Sequence, residues 1–68
     1  MNIDREYLVL QTKYHKIHEK EENIFPNEWY HVQEYELKKE ILKECIKNNF
    51  LIKDSSLYYQ FRLIALSS

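Results

Sequence analysis

Three groupings of side chains in this 68-residue chain are of types that do chemistry, and each meets a limit. His15 and His18 stand three residues apart with Glu22 four further on, a spacing that converges on one metal ion if the segment is helical. Structural zinc sites generally take four ligands, most often with cysteines among them, and Cys45 is the chain's one thiol. His31 joins such a set only if the fold carries it across. The expectation is a pair of solvated histidines and no bound metal.

Cys45 with a histidine is the one nucleophile and base pair on offer. Its place between Leu37, Ile41 and Ile46 marks it instead as a small buried hydrophobe, whose thiolate such surroundings disfavour. The glutamates from Glu34 to Glu44 fall on a charged ladder, where nothing separates their pKa values for acid–base work. A third grouping, Lys13, Lys16 and Lys20 beside Tyr14, is a short basic stripe diluted by Glu19, Glu21 and Glu22.

Composition removes further chemistries. The chain has no glycine, so the loops that cradle phosphates or dinucleotides, which need backbone close approach or positive φ, have no residue to build them. No nucleotide cofactor is expected, and no small-molecule substrate. Ten basic and eleven acidic residues leave a net charge of −1 without a polycationic segment, which argues against a nucleic-acid footprint. No apolar run approaches the roughly 20 residues that cross a bilayer, and Asp4-Arg5-Glu6 interrupts any signal-peptide pattern. A cytoplasmic protein follows as the expectation. The wealth of Ile, Lys, Asn, Glu and Tyr is what AT-rich codons yield, pointing to a low-GC bacterium or its phage.

The elements that must position these residues read as helices. Ile3, Tyr7, Leu10, Tyr14 and Ile17 alternate spacings of four and three, a heptad seam that predicts a helix over 4–22 with Asp4 as its cap. Phe25-Pro26 marks a boundary, because proline disfavours helical geometry in the residue before it. On the helical wheel of 35–49, Tyr35, Leu37, Ile41, Leu42, Cys45 and Ile46 share one half and Glu36, Lys39, Glu40, Lys43, Glu44 and Lys47 the other. This second helix starts at about 27 or 34 and ends at Asn48-Asn49, since asparagine tolerates the left-handed conformation. Lys38, on the apolar half, is expected to snorkel outward. A third helix is predicted over 55–66 with Asp54 or Ser55 as cap, apolar nearly all round through Tyr58, Tyr59, Leu63 and Leu66.

The fold class is therefore all-α, one domain over 1–68 built as a small antiparallel bundle of two to three helices. The alternative is α+β, with strands near 5–17 and 57–66 against the central helix, since Val9 and Thr12 also favour sheets.

A single core in a chain of this size rarely supplies more than about 3–5 kcal/mol, and one cysteine cannot form an intrachain disulfide. A homo-oligomer or a protein partner is thus expected. Carrying the second helix back past Glu34 turns Trp29 and Val32 away from its apolar stripe, so Phe25, Trp29, Tyr30 and Val32 are the expected partner-binding surface. The competing arrangement has this segment fold back as a lid over the core. The function that follows is a non-enzymatic regulator or inhibitor acting by protein–protein contact; the alternative is a nucleic-acid-associated accessory protein.

Overall fold

In the computed structural model, which describes residues 4–67, three helices form and no strand is present among the described residues. Helix α1 spans Arg5–Ile17, α2 spans Tyr35–Asn48 and α3 spans Tyr58–Ser67, with single 3-10 turns at Asn27–Tyr30 and Ile52–Asp54. The all-α bundle is the fold, and the strands of the α+β alternative do not form. No helix of the described residues is long and apolar enough to cross a membrane.

Helices α1 and α3 start where a side chain satisfies an orphan amide. The Asp4 carboxylate accepts the Tyr7 N–H at 3.0 Å, which caps α1. That bond and the Lys39 ammonium hold the Asp4 carboxyl below its ordinary range. At α3 the capping is relayed. The Ser55 hydroxyl accepts the Leu57 N–H at 3.1 Å and donates to Glu44 at 2.6 Å, while the Ser56 amide and hydroxyl donate to the same carboxylate at 2.8 and 2.9 Å. Glu44 therefore reaches from α2 to fix the entry of α3, a task that its place on the charged ladder did not indicate.

Helix α1 stops at Ile17, short of the predicted residue 22, with His18 as its C-cap. Glu19, Glu21 and Glu22 would sit at the negative end of its dipole, and Tyr14 instead pulls the chain round by donating its hydroxyl to the Ile24 carbonyl at 2.7 Å. Asn23 and Asn49, both at positive φ, make the two reversals that glycine would otherwise make. Asn49 ends α2 in the left-handed conformation, as its sequence position indicates. Ile3 of the heptad seam lies outside the described residues.

The expected antiparallel arrangement does not hold for the first pair. Tyr7 packs against Tyr35 and Lys38, while Tyr14, two turns further along α1, lies by Cys45 and accepts the Ile52 N–H at 2.9 Å. Helices α1 and α2 thus run in the same sense. Short connections favour antiparallel neighbours, but the stretch from 18 to 34 is long enough to return the chain to its starting end. A cluster of charges ties the two starts together. Lys39 Nζ lies 3.0 Å from Asp4, 3.3 Å from Glu6 and 3.0 Å from Glu36, and these carboxylates raise its pKa, Glu36 most. Lys39 is consequently buried instead of standing on a solvated ladder.

The returning stretch contains the centre of the core. Trp29 is fully buried, with its ring centroid 5.1 Å from that of Phe61, 6.3 Å from Phe25 and 6.5 Å from Tyr7, and its indole N–H donates to the Tyr7 hydroxyl at 3.0 Å. Val32 is buried as well. The expectation that Trp29 and Val32 face outward is corrected here: α2 begins only at Tyr35, so neither residue is on its wheel, and the returning stretch folds them inward as a lid. Ile41, Leu42, Cys45, Ile52 and Phe61 complete the buried set, which bears out the register assigned to α2.

Removing a buried tryptophan costs about 3–5 kcal/mol, comparable with the whole net stability of so small a domain. Trp29→Ala is therefore expected to abolish the cooperative thermal transition seen by circular dichroism. Trp29→Phe keeps most of the apolar area but strands the Tyr7 hydroxyl, so it should still fold with a lowered Tm. A Trp29→Ala variant that melts like the parent would contradict the buried indole.

Candidate functional site

The groups with chemical potential divide into those the fold has withdrawn and those it presents. Lys38 is the clearest of the withdrawn ones. Its side chain turns inward and is 4% exposed, with Nζ 5.2 Å from the Trp29 ring centroid and 5.4 Å from those of Tyr7 and Tyr35. The snorkelling expected of it does not occur, because three ring faces supply the electrostatic partner that water would otherwise be. Desolvation lowers its pKa, and the same burial raises that of Tyr7. This box stands at the starts of α1 and α2, beside the Lys39 carboxylates.

Cys45 is buried within the α2 stripe, and desolvation pushes its thiol up to about 12. Tyr14 is similarly raised to about 12 by burial, with its hydroxyl already engaged on both sides. His18 is buried against the Tyr14 ring at 5.0 Å, and its Nε2 has no hydrogen-bond partner. His15 stacks on Phe25 at 6.2 Å, whereas Glu22 is exposed. The three candidate ligands are therefore not brought together, and no group of three or more His, Cys, Asp or Glu side chains among the described residues is arranged to hold a metal.

Of the four residues expected to form a partner-binding surface, the fold leaves one outside. Tyr30 is 63% exposed, Phe25 is half-buried between Tyr14 and Trp29, and Trp29 and Val32 belong to the core. They do not make one surface.

The outward apolar surface is on α3. At 100° per residue, Tyr59, Leu63 and Leu66 fall within about 60° of arc, diametrically opposite the buried Phe61. Their exposures are 69%, 47% and 76%. A helix on a small domain normally turns charge to the solvent along that line; here Arg62 is the one charged residue from 55 to 68. Arg62 flanks the stripe on one edge, where a shallow recess is lined by Glu28, Arg62, Ala65 and Leu66. Glu28 is fixed in that edge by the Tyr58 hydroxyl, which donates to its carboxylate, and its pKa is lowered by Tyr58 first and by Arg62 more weakly. The signal for this face was already in the sequence, as a terminal helix too apolar to be satisfied by one core.

A second exposed face, on α1, mixes Leu8, Val9 and Thr12 with Arg5, Lys13 and Lys16. No family model matches the chain, and neither a curated protein nor a solved structure is detectably similar to it.

Three expected outcomes test the withdrawn groups. Native Cys45 should react with a maleimide orders of magnitude more slowly than the denatured chain, because both access and thiolate are suppressed; equal rates would contradict its burial. Lys38→Met, which keeps the stem and removes the charge, should retain or raise the Tm. Lys38→Glu should unfold the chain, since an anion against three ring faces meets repulsion where the cation met attraction.

Proposed function

We propose that this chain is a small non-enzymatic interaction protein, one that regulates or inhibits a polypeptide by occupying its surface, and that its docking element is the outward face of α3. The observation that carries the reading is the stripe of Tyr59, Leu63 and Leu66, three large apolar side chains on the helix face turned away from the core. Exposed contiguous apolar surface on a small domain marks an interaction site, and tyrosine, here Tyr59, is among the residue types that carry most of the energy of such contacts. The reading is supported from the other side by the state of the reactive groups. A thiol held as a thiol and a lysine enclosed by rings are placed for stability, whereas a nucleophile needs a base and access.

A second reading, a nucleic-acid-associated accessory role, draws on the outer face of α1, where Arg5, Lys13 and Lys16 are exposed around Thr12. The two differ in their response to salt: phosphate-driven binding weakens steeply as ionic strength rises, while docking by an apolar stripe does not.

A photo-crosslinking residue at Leu63 in the native cell is expected to capture protein, and one at Lys13 to capture little. The adducts at Leu63 should form equally in lysates brought to high salt and vanish on Leu66→Glu. Capture at Lys13 alone, lost in salt, would favour the second reading.

A further inference from the structure

We infer that the ring box of Tyr7, Trp29 and Tyr35 is a ligand site for a quaternary ammonium group, and that Lys38 is its resident plug, which such a cation displaces. The box stabilises the fold as it stands, and the inference does not depend on what the α3 face docks. It starts from what the box gives Lys38 and what it withholds. Nζ has three ring centroids within 5.4 Å, yet among the described residues it meets no hydrogen-bond acceptor and no carboxylate. The carboxylates at that end of the bundle, those of Asp4, Glu6 and Glu36, are taken by Lys39. Desolvation is accordingly the one cause that moves the Lys38 pKa, and it moves it down. A primary ammonium brings N–H donors whose burial is costly when they are unpaired, and a site built for one would supply acceptors. A quaternary ammonium has no N–H and is held by ring faces alone.

The spacing agrees with a cation that carries methyl groups. A carbon in contact with a ring stands about 3.5–4.0 Å from its atoms, and a nitrogen bonded to that carbon lies about 1.5 Å behind it, which sets the nitrogen about 5 Å from the ring. Nζ is 5.2 Å from the Trp29 centroid and 5.4 Å from those of Tyr7 and Tyr35. The walls also hold one another without the lysine. The Trp29 indole N–H donates to the Tyr7 hydroxyl at 3.0 Å, and Tyr7 meets Tyr35 edge to face at 5.1 Å. Tyr35, in the first turn of α2 and 41% exposed, is the wall that faces solvent and the side from which a ligand enters.

The same chemistry has two sources, a free solute and a trimethyllysine side chain on a polypeptide, and the test probes both. Trp29 is the single tryptophan, so its fluorescence reports the box. Lys38→Ala removes the plug. Choline should then change the Trp29 emission saturably and raise the Tm, whereas its neutral isostere, with a tert-butyl group in place of the trimethylammonium, should bind at least about tenfold more weakly. If Lys38→Ala is unfolded, choline should restore its helical circular dichroism and the isostere should not, because a ligand held only by the folded state stabilises it. Tyr35→Leu in the same background should weaken choline binding about tenfold. In the parent protein the tethered amine competes, so choline should bind about tenfold or more weakly than in Lys38→Ala. Tetramethylammonium chloride should also speed the acetylation of Lys38 in the parent protein, read by mass spectrometry, where sodium chloride at equal concentration does not.

An acetylated and amidated peptide with trimethyllysine between alanines separates the sources: binding tighter than that of choline assigns the ligand to a polypeptide, and equal or weaker binding assigns it to a free solute. Choline and its neutral isostere acting alike, no saturable response in Lys38→Ala, choline binding untouched by Tyr35→Leu, or Lys38 acetylation unmoved by tetramethylammonium each overturns the inference.

Discussion

The structure depends on one buried tryptophan and on the single bond that makes its burial tolerable. An indole brings about 150–250 Å² of surface into a core, but also an N–H whose desolvation is costly if unpaired. Tyr7 resolves this by accepting that N–H while its own ring packs on the indole. The neighbouring side chains are arranged around the pair. Lys38 comes under the ring faces, while Phe61 of α3 and Phe25 pack against the same indole. Trp29 is contributed by the connecting stretch, so the connector itself fills the space among the three helices.

Tyr14 performs the corresponding task two turns further along α1. Its hydroxyl donates to the Ile24 carbonyl and accepts the Ile52 N–H, and so joins the two irregular stretches on either side of α2 through a single oxygen. A chain without glycine cannot make tight reversals freely, and it manages with asparagine at positive φ twice and with side-chain anchors for the rest. Glu44, holding Ser55 and Ser56, is another such anchor.

The distribution of polar and apolar groups is inverted at Lys38 and along the outer face of α3, and the two inversions are informative together. A lysine that sequence patterning places among apolar residues goes inward and is stabilised by aromatic faces, while three large apolar residues of α3 go outward with no charge among them. The first is a solution to packing a small core in which aromatics are abundant. The second leaves a surface that the monomer does not use.

Much of this was determined by the sequence alone. Periodicity set α2 and its register, with Ile41, Leu42 and Cys45 inward, and favoured helices over strands for α1 and α3; Asp4 and Asn49 marked a beginning and an end; the absence of glycine removed phosphate loops; and the all-round apolar character of 57–66 already implied a face that one core does not consume. These features are local, each read from residues within a turn or two of one another. Only the tertiary structure decided where Trp29 and Val32 go, that α1 and α2 run in the same sense, and that Lys38 and Lys39 are buried. Trp29 lies in a 3-10 turn too short to carry a periodicity, so extending the wheel of α2 backward assigned it a face it does not have. The partners that bury it, Tyr7 and Phe61, are 22 and 32 residues away along the chain, and a lysine's direction depends on whether rings or carboxylates await it there. Distances of that kind are set when helices pack, which no local pattern encodes.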